Sequence, residues 1–256
     1  SKLESKLIVE SSMVIKKLFS DILSMDENGE TPSRNNSLPD YILVTGDLSS
    51  DGERVALIDI ANALRDLQNK IRAKGNVNFQ IFVIPGNHDI ANENATDYTK
   101  VQGERIANVN RNDFAKIFAG LGYPNMTDGE AASYYANDEF DNNNLKYLPY
   151  DSDKRYVHSE NAENIEFAYM AMNDWDSELG IGDLSYTAKC PDGNTFIAID
   201  GLVSGEIGGR VSDGVFEWLN SIKASSLTDN LISMTHHNVL QHFTMQEKWS
   251  KDYLYS

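Results

Sequence analysis

Polar side chains able to bind metal or to transfer protons follow four short apolar runs of this sequence. The four clusters are Asp47 after YILVTG, Asn87-His88-Asp89 after FQIFVIPG, Asp200 after NTFIAI, and His236-His237 after LISMT. Taken singly, each has an ordinary structural explanation, such as a helix N-cap, an Asx turn or a buried, hydrogen-bonded histidine. Those explanations account poorly for four such clusters in order, each at the end of an apolar run. A shared site is therefore the better hypothesis.

The residue types in these clusters suit a divalent metal ion. Asp, Asn and His form a mixed oxygen and nitrogen ligand set, which favours manganese, iron or zinc. Asp47 is the natural bridging ligand, because a carboxylate has two oxygens. Asn87 offers a neutral oxygen, and His236 offers an imidazole that binds metal when it is deprotonated. We therefore predict that these three residues are metal ligands.

His88 and Asp89 are candidates for proton transfer beside such a site. Two metal ions about 3.5–4 Å apart can activate a water molecule and hold a phosphoryl oxygen. His88 lies one residue beyond the ligand Asn87, where it can stabilise charge on the phosphoryl group or protonate the leaving alkoxide as a general acid. Asp89 is expected to orient the His88 imidazole and to favour its protonated form.

Helical segments separate most of the apolar runs. Helical periodicity covers residues 3–23, 50–75 and 208–225, and a shorter helical piece covers 111–123. Buried strands that alternate with helices predict an α/β fold with a largely parallel or mixed sheet, in which ligands gather at the carboxyl ends of the strands. Residues 91–194 are rich in Asn, Asp and Tyr. We interpret them as an irregular insertion, with short strands near 165–172, within one domain spanning 1–256.

Composition and charge exclude several classes of protein. The 256 residues carry a net charge of -17, which repels nucleic-acid backbones and anionic membranes, so no nucleic-acid scaffold is expected as a partner. An anionic substrate would then need local positive charge, and bound cations can supply it. No apolar run reaches the roughly 18 residues of a membrane span. Cys190 is the only cysteine, which excludes an intrachain disulfide and a thiolate zinc site.

Three segments resemble metal-site motifs of the calcineurin-like metallophosphoesterases. These segments are VTGDLSSDGE, VIPGNHDI and SMTHHNVL, which resemble three of the family's five motifs in the same order. The pieces FAKIFAGLGY and GGRVSDGVFEWL resemble connecting segments in bacterial branches of the family. The resemblance implies a sandwich of two mixed β-sheets flanked by helices, a pair of Mn, Fe, Zn or similar ions, and a phosphate-ester substrate.

The resemblance also assigns roles to single residues. It implies that Asp47 bridges both metals and that Asn87 and His236 bind the second one. It implies that His88 is the catalytic histidine, with Asp89 behind it. Between the paired histidines, His236 is the expected ligand because it is nearer the strand, and the next histidine is expected to support it. His158 and His242 are expected to be surface residues.

Two motifs of that family have no counterpart in this sequence. The family's Asp-x-His motif is missing, because none of the five histidines has an aspartate two positions before it. No segment resembles the family's Gly-His-x-His motif either. Because these motifs are missing, both ends of a longer protein are expected to lie outside this sequence. The first residues also lack an initiator Met and the layout of a signal peptide, so the compartment stays open. The predicted function of the full-length protein is metal-dependent hydrolysis of phosphate monoesters or diesters. Alternatives are a binding or scaffold module without turnover and, more weakly, a metallohydrolase for another bond class.

Overall fold

The protein is described by a computed structural model over residues 8–25, 38–90, 95–97, 103–136, 156–170, 182–202, 209–222 and 230–237. The helices are α1 (Ile8–Ser24), α2 (Arg54–Ala73), α3 (Arg111–Ile117), α4 (Asp128–Ala136) and α5 (Asp213–Ser221). The strands are β1 (Tyr41–Val44), β2 (Gln80–Val83), β3 (Thr96–Asp97), β4 (Glu104–Arg105), β5 (Glu166–Tyr169), β6 (Tyr186–Lys189), β7 (Asn194–Ile199) and β8 (Asn230–Thr235). No helix in these ranges is long and apolar enough to cross a bilayer.

A βαβ unit forms the first sheet. Strands β1 and β2 pair in parallel, with Tyr41 opposite Gln80 and Val44 opposite Val83. Helix α2 connects them, as parallel pairing requires a crossover. The side of α2 that faces the core carries buried Ile58, Ala61, Leu64, Leu67 and Ile71, all of which the helical periodicity predicts as inward. Because the two strands run in the same direction, the chain leaves both of them at the same edge of the sheet.

The second sheet has four strands in the order β5-β6-β7-β8. The β5–β6 and β6–β7 pairs are antiparallel, and the β7–β8 pair is parallel with Ile199 opposite Thr235. The carboxyl ends of β7 and β8 therefore also share one edge. Within residues 91–194, strands β5 and β6 belong to this sheet, while β3 and β4 form a separate short antiparallel pair.

Aromatic side chains join the two sheets face to face. Phe196 of β7 lies 4.7 Å from Phe82 of β2 and 4.9 Å from Tyr41 of β1, measured between ring centroids. Phe167 of β5 reaches the same cluster, 6.2 Å from Phe82. The predicted α/β sandwich of two sheets flanked by helices is thus confirmed. The four-stranded sheet is mixed, and the described part of the other sheet is parallel.

The four predicted helices differ from the observed ones mainly at their ends, whereas α4 lies within the predicted irregular insertion and has no predicted counterpart. The helix predicted over 111–123 ends at Ile117, because Gly120 and Gly122 adopt positive φ angles of 76° and 102°. A side chain on Gly122 would collide with the Tyr186 hydroxyl, so this turn is set by packing. Helix α5 begins after Ser212, whose side chain caps it, as an N-cap serine does.

Helix α1 only partly follows its predicted apolar face. Ile22 packs against the core, whereas Val14 and Leu18 are 65% and 53% exposed. Residues 3–7 of the predicted helix lie outside the described residues. The periodicity therefore locates this helix correctly, but Val14 and Leu18 do not join the core.

Candidate metal centre at the carboxyl ends of the strands

Two loops that leave β1 and β2 touch each other through paired glycines. The loop after β1 is residues 45–53, here the first loop, and the loop after β2 is residues 84–90, here the second loop. A Cβ on Gly46 would lie 2.3 Å from the backbone nitrogen of Gly86, and a Cβ on Gly86 would lie 2.2 Å from that of Asp47. Such distances exclude any side chain, so the backbones can approach only because both residues are glycine.

The close approach places Asp47 in an uncommon backbone conformation. Gly46 has a φ of 92° and Asp47 a φ of 56°, which is a left-handed value that Asp and Asn tolerate better than most residues. Asp47 Oδ1 accepts the backbone N–H of His88 at 3.1 Å. The carboxylate is therefore held across the junction of the first and second loops, and its side chain stays 40% exposed.

The three predicted metal ligands lie together in the structure. His236, directly after β8, brings its Nε2 to 3.0 Å from Asn87 Oδ1 and to 3.4 Å from Asp47 Oδ1. The three ligand atoms belong to residues that follow β1, β2 and β8, which lie in two different sheets. Separations of 3.0 and 3.4 Å are below twice the metal–ligand bond length of about 2.0–2.2 Å, so a cation can contact the imidazole nitrogen together with either oxygen.

The orientation of the His236 ring makes these three atoms suitable for binding a cation. Its Nδ1 lies 2.8 Å from the carbonyl oxygen of Thr45. Because a carbonyl can only accept, Nδ1 carries the hydrogen, and in the neutral ring Nε2 presents a lone pair. That lone pair then faces the carboxylate and amide oxygens, which are themselves acceptors. Three converging acceptors are favourable when a positive ion lies among them, and a backbone carbonyl on the other ring nitrogen is the usual support of a metal-binding histidine.

The composition of this ligand group is mixed. In the described part of the chain, no group of three or more His, Cys, Asp or Glu side chains is arranged to hold a metal ion. The group at the strand ends has one carboxylate and one imidazole, and the amide of Asn87 completes it. An amide oxygen adds a ligand without adding negative charge.

His88 is oriented by the first loop. Its Nδ1 lies 2.6 Å from the carbonyl oxygen of Ser50. As with His236, the carbonyl can only accept, so Nδ1 is the protonated nitrogen and Nε2 is left to accept or donate a proton. Sequence reasoning missed Ser50 and Thr45, because a backbone carbonyl has no side-chain signal.

Asp89 is buried and serves the loops rather than the imidazole. Its Oδ1 accepts the Ser49 backbone N–H at 2.8 Å and the Ser49 hydroxyl at 2.9 Å, and its Oδ2 accepts the Gly86 N–H at 2.9 Å. Burial raises the pKa of this carboxyl, and the hydrogen bonds from Gly86 and Ser49 oppose that rise. Among the described contacts of Asp89 there is none to the His88 ring, whose orienting partner is Ser50.

Asp200 belongs to an ion pair at the end of β7. Its carboxylate contacts the guanidinium of Arg111, the first residue of α3, and Arg111 Nη2 also donates to the carbonyl of Leu202 at 2.8 Å. Asp200 Oδ1 accepts the Leu202 N–H at 3.1 Å. Its side chain is fully buried. These contacts give Asp200 an ordinary structural role at the end of the strand.

The remaining histidines differ in their environment. His237 packs edge-on against His236, with 4.7 Å between ring centroids, and a Cβ on Gly209 would lie only 2.4 Å from its ring. That contact is consistent with a supporting position beside the predicted ligand. His158 is 41% exposed and contacts two surface carboxylates, while His242 lies outside the described residues.

Comparison with known proteins identifies the family of this chain. The family model of the calcineurin-like phosphoesterases matches residues 15–254, which is nearly the whole chain. A comparison with curated proteins gave no match. The family consists in general of metal-dependent phosphoester hydrolases that use divalent cations. Since the match covers far more than half of its length, this chain belongs to the calcineurin-like phosphoesterase family.

Proposed function

We propose that the full-length protein hydrolyses phosphate monoesters or diesters with two divalent cations, of Mn, Fe or Zn, and that this chain supplies part of the ligand set at the strand ends. The observation that carries the proposal is that Asp47 Oδ1 and Asn87 Oδ1 both lie within 3.4 Å of His236 Nε2. A carboxylate, an amide and an imidazole suit these metals. A bound cation would act as a Lewis acid toward the phosphoryl oxygen and lower the pKa of a water molecule.

Asp47 is the residue proposed to bridge both cations. Its contacts to other described residues use Oδ1, which accepts from His88 N and faces His236. Oδ2 is therefore available for a second cation. The side chain is 40% exposed, which leaves room for a ligand.

His88 is proposed as the general acid. Because Ser50 fixes the hydrogen on Nδ1, the proton given to the leaving alkoxide comes from Nε2 of the protonated ring. After the transfer the ring is neutral and keeps its hydrogen bond to Ser50. The backbone N–H of His88 meanwhile holds Asp47, so the acid and the bridging ligand keep a fixed separation.

The test compares hydrolysis of p-nitrophenyl phosphate and of its bis ester by the full-length protein with Mn²⁺ present. Asn87→Ala removes one ligand oxygen and is expected to lower kcat/KM for the accepted ester by about 10–100-fold or more, with weaker Mn²⁺ binding by calorimetry. His158→Ala changes an exposed histidine at another place and serves as the matched control. Unchanged turnover by Asn87→Ala would refute the ligand assignment.

A binding or scaffold module without turnover is the alternative, and the same measurements separate it from the proposal. A scaffold would bind one Mn²⁺ weakly and hydrolyse neither ester. Hydrolysis of carboxylic esters or amides without phosphatase activity would instead point to a metallohydrolase of another bond class.

A further inference from the structure

Ser49 lies where the first and second loops cross. Ser49 as a whole residue is 8% exposed. Its hydroxyl donates to Asp89 Oδ1 at 2.9 Å. The same hydroxyl oxygen accepts the backbone N–H of Gly52 at 3.0 Å. It also lies 3.4 Å from the carbonyl oxygen of His88. One buried hydroxyl thus contacts both loops.

Asp89 extends this connection to the glycine junction. While its Oδ1 holds Ser49, its Oδ2 holds the backbone N–H of Gly86. Gly86 in turn lies against Asp47, with no space for a side chain between them. The chain of contacts from Ser49 through Asp89 to Gly86 therefore sets how far the carboxylate of Asp47 stands from the amide of Asn87, the next residue after Gly86.

The same hydroxyl determines where the Ser50 carbonyl points. The Gly52 N–H bond to Ser49 Oγ closes the short turn that contains Ser50. Ser50 O is the acceptor that fixes the hydrogen on His88 Nδ1. If the turn relaxed, the imidazole would lose the bond that keeps Nε2 available for proton transfer.

We propose that Ser49 is a positioning residue of this site, which through Asp89 spaces the metal ligands and through its turn fixes the tautomer of His88. The proposal rests on the metal centre described under the proposed function. Ser49 touches neither substrate nor metal in this scheme, and its effect is transmitted by hydrogen bonds. Residues that support metal ligands in this way change metal affinity by about 10–100-fold when they are removed.

The experiment uses the 256-residue chain with Ser49→Ala, Ser49→Thr and a matched control, Ser159→Ala. Ser159 is also a buried serine, 4% exposed, whose hydroxyl accepts from Gln68 Nε2 at 2.8 Å, next to the loop before β5 rather than beside the ligands. Three quantities are measured: the Kd for Mn²⁺ by calorimetry, the histidine tautomers in the metal-free protein by nitrogen NMR, and the unfolding midpoint.

Ser49→Ala is expected to raise the Mn²⁺ Kd by about 10–100-fold and to shift His88 from the Nδ1–H form to a mixture of tautomers. Ser49→Thr keeps the hydroxyl and is expected to preserve the wild-type Kd. Ser159→Ala is expected to lower the unfolding midpoint without changing the Kd or the tautomer.

Several results would overturn the positioning role. They are a wild-type Kd and tautomer in Ser49→Ala, a loss of affinity in Ser49→Thr equal to that in Ser49→Ala, and an equal loss in Ser159→Ala. If the wild-type protein itself binds no Mn²⁺, the proposed metal centre is refuted, and the role of Ser49 is refuted with it. Wild-type binding with no effect of Ser49→Ala refutes only this inference.

Discussion

At the scale of single residues, glycines and carbonyls matter as much as the ligands. Gly46 and Gly86 let the first and second loops touch, and the carbonyls of Thr45 and Ser50 fix the hydrogens of two imidazoles. Asp89 illustrates the same point. Its type and position suggest a partner for the neighbouring imidazole, but its carboxylate lies among backbone N–H groups, where a buried carboxylate finds more donors.

Replacing Gly86 by Ala tests the backbone contact directly. Gly86 does not have a positive φ, so the substitution acts through steric overlap with Asp47, whose Oδ1 would lie 2.3 Å from the new Cβ. We expect a loss of about 1–3 kcal/mol in the free energy of unfolding and weaker Mn²⁺ binding. Denaturant titration and calorimetry measure both.

Gly129→Ala is the matched control for that variant. A Cβ on Gly129 has nothing within 4 Å, and the residue lies in α4. Alanine should therefore stabilise the protein by up to about 1 kcal/mol. Equal destabilisation by the two substitutions, or full metal affinity in Gly86→Ala, would contradict the steric account.

At the scale of elements, parallel pairing decides where the site forms. β1 and β2 are parallel, as are β7 and β8, so each pair delivers its loops to a single edge. His236 leaves β8 and contacts Thr45, which follows β1. This contact brings the carboxyl-terminal edge of the β1–β2 sheet next to that of the β7–β8 pair. Helix α3 is joined to the same region through the pair of Arg111 and Asp200.

Arg111→Met should be strongly destabilising. The substitution leaves the fully buried carboxylate of Asp200 without its cation, and breaking such a pair costs about 3–5 kcal/mol. Chemical denaturation measures the loss. Lys17→Met breaks an exposed pair with Asp21 in α1 and should leave the stability nearly unchanged. Similar small effects of both variants would show that the buried pair contributes no more than a surface pair.

At the scale of the whole molecule, the net charge of -17 opposes an anionic substrate. Salt screens that repulsion. With Mn²⁺ saturating, kcat/KM is therefore expected to rise with ionic strength, and more for the doubly charged p-nitrophenyl phosphate than for its singly charged bis ester. Steady-state kinetics over a potassium chloride series checks this. A fall in kcat/KM would show that local positive charge at the site outweighs the field of the chain.

The sequence by itself determined the alternation of strands and helices and the membership of Asp47, Asn87 and His236 in one cluster. It could do so because burial and helical periodicity are local patterns, and because carboxyl ends of parallel strands share an edge. The bounds of β1, β7 and β8 follow the apolar runs to within one residue. Helix α3 ended early, because contacts far along the chain set the conformation of Gly122.

Only the tertiary structure decided how the cluster is built. The spacing of the loops depends on Gly46 against Gly86 and on Ser49 with Asp89, pairs that are 40 residues apart in sequence. The tautomers of His88 and His236 depend on carbonyl groups, which every residue possesses. Such groups acquire a role only when the fold places them within hydrogen-bond distance of a particular ring, and no local pattern of side chains encodes that distance.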